Sequence, residues 1–110
     1  IIGFEQTIVA HSSPGVYTYD LSKQSIRVTA TADIELDWSD ASYNKYGRWQ
    51  FELVNTSGAP IAVTYTAATW RKATGLTLPS TLAAGAVQMF TLVQSKDGPV
   101  IENTYVVVAV

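Results

Sequence analysis

The chain has 110 residues, 47% apolar and 15% charged, with a formal net charge of -2 and no cysteine. That is the length of one domain held by packing alone, since disulfides and thiolate metal sites are excluded. The slightly acidic balance argues against a nucleic-acid surface, which needs a basic field to collect phosphates, and no apolar run approaches the ~20 residues of a membrane-crossing helix.

The first residue is Ile1 and the only methionine is Met89. The chain is therefore expected to begin inside a larger gene product or after processing. Residues 1–15 read as a lead-in from an upstream shaft or stalk, and residues 16–110 as the folded domain. Short strands are predicted at 7–10 and 16–19, separated by His11, Ser12, Ser13, Pro14 and Gly15. That cluster predicts a turn carrying an exposed histidine. Ile26, Val28 and Ala30 then alternate with Arg27, Thr29 and Thr31. A tight link without glycine, Thr31-Ala32-Asp33, leads to Ile34, Leu36 and Trp38 alternating with Asp33, Glu35 and Asp37. After a long polar connection at 39–47, Trp49, Phe51 and Leu53 alternate with Arg48, Gln50 and Glu52. The turn Asn55-Thr56-Ser57-Gly58 precedes Ile61, Val63 and Tyr65, which alternate with Ala62, Thr64 and Thr66.

Each of these patterns is a strand with one core face and one wet face, the usual mark of an antiparallel sheet. Trp38, Trp49 and Tyr65 fall on core faces. Residues 67–80 hold too many apolar side chains for a loose loop and are predicted to lie flat against the domain. Turn formers at Leu82-Ala83-Ala84-Gly85 and Lys96-Asp97-Gly98-Pro99 bracket a more deeply buried strand at 87–93. No helical period is present. The count of about eight strands predicts an all-β fold, a compact antiparallel β-sandwich of jelly-roll type.

The last strand differs from the others. Tyr105-Val106-Val107-Val108-Ala109-Val110 has no polar face, so it needs cover on both sides. A domain with two thin sheets has little room to bury one strand twice. Tyr105, Val106, Val107, Val108 and Val110 are therefore candidate interface residues of an obligate oligomer.

Residues suited to chemistry are sparse. His11 is the only histidine, so any Ser-His or Cys-His device would depend on it. A zinc site within one chain lacks ligands. Asp33, Glu35 and Asp37 share one strand face about 6.6 Å apart, and are expected to be solvated or paired with Arg27, Arg48 or Lys45. Asp37, Ser39, Asp40 and Asn44 offer oxygen ligands for calcium, but no glycine sits where a calcium loop turns. No second acid cluster faces the first as a glycosidase requires, and no glycine-rich phosphate cradle occurs. The expectation is a protein without catalytic residues, metal or cofactor. Recognition is assigned to Tyr43, Asn44, Lys45 and Tyr46 in the 39–47 connection. Aromatic faces beside polar groups there suit sugar rings or protein partners, unless both tyrosines serve as lids over the domain end.

Several segments go further than composition. Tyr19-Asp20-Leu21-Ser22-Lys23, Ile26-Arg27-Val28-Thr29 and Asp33-Ile34-Glu35-Leu36 with Trp38 form one group. Gly47-Arg48-Trp49-Gln50-Phe51, Leu53-Val54-Asn55 and Ile61-Ala62-Val63-Thr64-Tyr65 follow. Trp70-Arg71 with Gly75, and Thr81-Leu82-Ala83-Ala84-Gly85-Ala86-Val87-Gln88-Met89-Phe90-Thr91-Leu92, complete the set. Together they resemble the C-terminal fibre modules of tailed bacteriophages, from about residue 16 to the end. The resemblance implies a non-enzymatic homotrimeric fibre tip, of a phage or a prophage-derived adhesin. It implies a place on the virion surface or an extracellular fibre, and a cell-surface glycan or protein as receptor. Neither nucleic acid nor membrane insertion is implied. Two alternatives remain open at this point: a purely structural trimerisation or capsid-decoration domain, and an accessory carbohydrate-binding module of a larger enzyme.

Overall fold

The computed structural model describes residues 6–19, 25–38, 48–66, 71–95 and 98–108. Ten strands are present among them: β1 (Thr7–His11), β2 (Gly15–Thr18), β3 (Ser25–Ala30), β4 (Ile34–Asp37), β5 (Arg48–Asn55), β6 (Ile61–Tyr65), β7 (Arg71–Lys72), β8 (Thr81–Leu82), β9 (Val87–Ser95) and β10 (Gly98–Val107). They form a six-stranded sheet in the order β1-β3-β5-β9-β10-β7 and a four-stranded sheet in the order β2-β4-β6-β8. The fold is all-β, as the period-two patterns predict.

The first six strands alternate between the sheets, so neighbours within a sheet are two apart in the chain and run parallel. β1 pairs with β3, β3 with β5, β2 with β4 and β4 with β6 in this way, and β7 joins β10 in parallel. Only β5 with β9, β9 with β10 and β6 with β8 are antiparallel. Both sheets are therefore mixed, which corrects the expectation of an antiparallel arrangement. The physical reason is that alternation reports one-sided cover, not strand direction. Parallel strands need a long crossover, commonly a helix that covers a second face. Here the crossover is a strand of the opposite sheet, so each sheet keeps one wet face.

The inner faces share one core. Val28, Leu36, Trp38, Phe51, Leu53, Val63, Leu82, Phe90, Leu92 and Ile101 are each at most 1% exposed. Trp38, just past β4, meets Phe51 of β5 and Phe90 of β9 edge-on, with centroids 5.0 and 5.3 Å away. Phe51 and Phe90 stand 5.7 Å apart. Three rings thus tie the small sheet to the centre of the large one, each pair adding ~0.5–1.5 kcal/mol beyond its area. Trp49 is buried as expected, and Tyr65 is half-buried with its hydroxyl donating to the Pro79 carbonyl. Leu76 and Leu78 pack against the core, so the described part of 67–80 does lie against the domain.

Turn chemistry holds the arches together. Asn55, fully buried, donates from Nδ2 to the Ala59 and Leu82 carbonyls and accepts at Oδ1 from the Ser57 amide and hydroxyl. All its polar groups are satisfied, which a buried amide needs. Its carbonyl accepts from the amide of Gly85, whose φ of 74° is a left-handed turn that side chains disfavour. The Thr31-Ala32-Asp33 link is as tight as predicted: the Thr31 amide donates to the His11 carbonyl, and Asp33 Oδ1 accepts from the Ala62 amide.

Candidate functional site

The apolar end of β10 is the longest run of exposed large hydrophobic residues among those described. Its faces are set by a bulge. Ile101 lies opposite Leu92, whereas Asn103 lies opposite Thr91, so Glu102 is an extra residue. One added residue flips every later side chain to the other face. Thr104 and Val106 then stand on the core side, level with Phe90 and Gln88, while Tyr105 and Val107 join Met89 and Val87 outside. Glu102 is held by Arg48, whose Nη1 donates across 2.9 Å. Thr104 Oγ1 donates to the Met89 carbonyl and accepts from Gln88 Nε2.

Neither face is covered. Tyr105 is 53% exposed, Val106 44%, Val107 46% and Val108 61%. The large sheet has two strands more than the small one, and β10 lies next to its edge. Its first half is closed in by β7 and the segment after it, whose Ala73 amide donates to the Ile101 carbonyl. Its second half is not.

A second feature lies at the opposite edge, where β1 and β2 end the two sheets. Between them a cavity of about 290 Å³ is lined by Val9, His11, Tyr17, Tyr19 and Ile26, together with Thr7 and Thr18. His11 is the last residue of β1, half-buried, and not an exposed loop residue as its turn-forming neighbours suggest. Its ring stacks on Tyr17 with centroids 3.5 Å apart, and Nε2 sits 2.9 Å from the Tyr19 hydroxyl. Burial lowers its pKa from the ordinary 6.5. Burial also raises that of Tyr19, with Tyr17 adding to the effect. Both shifts favour the neutral forms of His11 and Tyr19. Ile8 and Val16, on the outer faces of β1 and β2, are 67% and 60% exposed.

The acidic row is organised by its own sheet. Asp33 accepts from the Ala62 amide, Glu35 from the Thr66 hydroxyl and Asp37 from the Thr18 hydroxyl. The expected partners Arg27 and Arg48 instead pair with Glu52 and Glu102. Alternation of strands between layers explains the difference: β3 and β5 carry their arginines on the far side of the molecule from β4. No three metal-ligating side chains converge among the described residues.

Of the residues predicted from sequence, Tyr105, Val106, Val107 and Val108 are all exposed, on both faces of the strand end. Val110 and the recognition candidates Tyr43, Asn44, Lys45 and Tyr46 lie outside the described residues, as do Ser39, Asp40 and Trp70. Ile8, Val16 and the His11–Tyr17–Tyr19 cluster were not anticipated. A signal existed for the first, because Ile8 and Ala10 make the face of β1 opposite Val9 apolar as well. No family model, curated protein or solved structure matches the chain.

Proposed function

We propose that this chain is a non-enzymatic, trimer-forming β-sandwich that serves as the tip of a phage or prophage-derived fibre and attaches it to a cell-surface glycan or protein. The observation that carries the reading is the uncovered strand end. Four consecutive large apolar residues at 44–61% exposure form a patch of the kind that marks a protein–protein surface. The segments that resemble fibre modules supply the number three and the place at a virion or cell surface. Within the proposal, trimerisation belongs to Tyr105–Val108 and Val110, and recognition to Tyr43, Asn44, Lys45 and Tyr46. Three weak sites on one tip, and many tips on one particle, give firm attachment through effective concentration.

Light scattering coupled to size exclusion tests the assembly, with a trimeric mass expected; a monomer persisting at micromolar concentration overturns it. Replacing Tyr43 and Tyr46 together by alanine is expected to abolish cell binding while leaving mass and melting curve unchanged. Normal binding by that variant would move recognition elsewhere, and a trimer that binds no cell or glycan would leave assembly as its role.

A further inference from the structure

We infer that the trimer closes through two different sheet edges, residues 103–107 of β10 in one copy running alongside β1 of the next. This rests on the trimeric reading above and names the surface that receives the β10 patch.

The large exposed apolar residues described fall in two groups, Ile8 and Val16 at one edge and 105–108 near the other. Around a threefold axis only residues at the axis itself meet their own copies; away from it, each copy meets the next through two different, complementary patches arranged head to tail. The molecule offers such a pair, and the strand register places them level. One outer row across the large sheet reads Ile8, Arg27, Glu52, Met89, Tyr105, and the next but one reads Ala10, Thr29, Val54, Val87, Val107. Residues 7–10 therefore stand at the same height as residues 104–107. β1 and β10 also run in the same direction, since β9 is antiparallel to both β5 and β10. Edges at equal height and in one direction can meet about an axis along the strands without axial rise. An axial rise would make a helical filament in place of a ring.

The edges themselves are prepared differently. Exposed sheet edges are commonly blunted by charge or by shortness. β7, which covers β10 only at Val100 and Ile101, is Arg71-Lys72, and β8 is two residues long. β1 and residues 103–107 carry no Lys, Arg, Asp, Glu or Pro, and their outer edges have no strand partner among the described residues. In the large sheet these are the edges left fit for pairing; β2, at the edge of the small sheet, is likewise uncharged. The cavity adds a third observation. Val9 and Val106 belong to one inner row, through Val28, Leu53 and Gln88. With β10 of a neighbour beside β1, its Val106 continues that row and covers the open side of the 290 Å³ cavity next to Val9 and Tyr17.

The chain has no cysteine, which makes cross-linking a clean test. Two double variants are made, Ile8→Cys with Tyr105→Cys, and Ala10→Cys with Val107→Cys, together with the four single variants. After mild oxidation of the native protein, at least one double variant should run as a covalent trimer that reduction returns to monomer, and no single variant should cross-link. The melting curve of each variant is recorded first, and the second pair stands in if the first disturbs folding. A covalent dimer from Tyr105→Cys or Val107→Cys alone would place β10 against itself and overturn the inference. So would folded, trimeric double variants that never cross-link, an outcome that leaves the trimer standing. A monomeric mass for the unsubstituted chain would defeat both readings.

Discussion

β10 contains two apolar stretches that read alike in sequence and fare differently in the fold. Ile101 is 1% exposed, with β9 on one side, β7 on the other and the Leu76–Leu78 stretch nearby. Val107, six residues on, is 46% exposed with only β9 beside it. Side-chain chemistry sets how much cover a strand needs, and the extent of the opposing layer sets how much the single chain provides. The difference should separate folding from assembly. Ile101→Ala removes buried carbon from a closed core and should cost about 2–4 kcal/mol of folding stability in urea denaturation. Val107→Asp should cost the folded monomer less than about 1 kcal/mol, as at other exposed sites. It should nonetheless convert the proposed trimer to monomer in light scattering, because an unpaired charge buried at an interface costs several kcal/mol. If Val107→Asp costs the folded chain as much stability as Ile101→Ala does, the two stretches are one core and the comparison fails.

That contrast also shows what the sequence can carry. Period-two alternation placed the inner faces correctly, because burial on one face constrains every second residue whatever the strand direction. The two-sided apolar run at 105–108 was legible for the same reason. Strand direction was not, since a parallel arch and an antiparallel hairpin ask the same alternation of Ile26, Val28, Ile34 and Leu36. The Glu102 bulge was not legible either: Glu102, Asn103 and Thr104 are all polar, so alternation there does not say which residue is extra. Arg27 and Asp33 are close in the chain yet belong to opposite layers, so sequence proximity misled the pairing of charges. His11 was misread because its followers Ser12, Ser13, Pro14 and Gly15 are turn formers, while its role is set by Tyr17 and Tyr19 across the arch.

His11 gives a smaller test of the β1 edge. Burial against Tyr17 and Tyr19 lowers its pKa below the ordinary 6.5, so the unfolded chain binds the proton more readily than the folded one. Stability is then at its full value above pH 6.5, falls as the pH drops below it, and levels off once the folded form is protonated as well. The loss should be less than about 1 kcal/mol, because the ring is only half-buried and solvent screens the charge. His11→Gln should remove this part of the acid dependence, read as the difference between the two chains in denaturation from pH 8 to 5. An unchanged pH profile would mean that β1 leaves His11 as solvated as in the unfolded chain.

The smallest effect is expected at the blunted edge. β7 closes the large sheet with Arg71 and Lys72, both exposed, and Lys72 Nζ also donates to the Leu76 carbonyl. Charges there discourage a further strand from pairing, and contribute little to the fold. Replacing both by threonine keeps good strand formers in place, so stability should change by no more than about 0.5 kcal/mol. The trimeric mass should be preserved, because in the proposed ring β7 faces solvent while β1 and residues 103–107 meet. What should change is slow association: the edge next to Val100 and Ile101 loses its repulsion, and light scattering at high concentration should rise over days relative to the unsubstituted chain. Dissociation of the trimer in this variant would instead place β7 inside the interface, and the distinction between a protected edge and a paired one would have to be drawn the other way round.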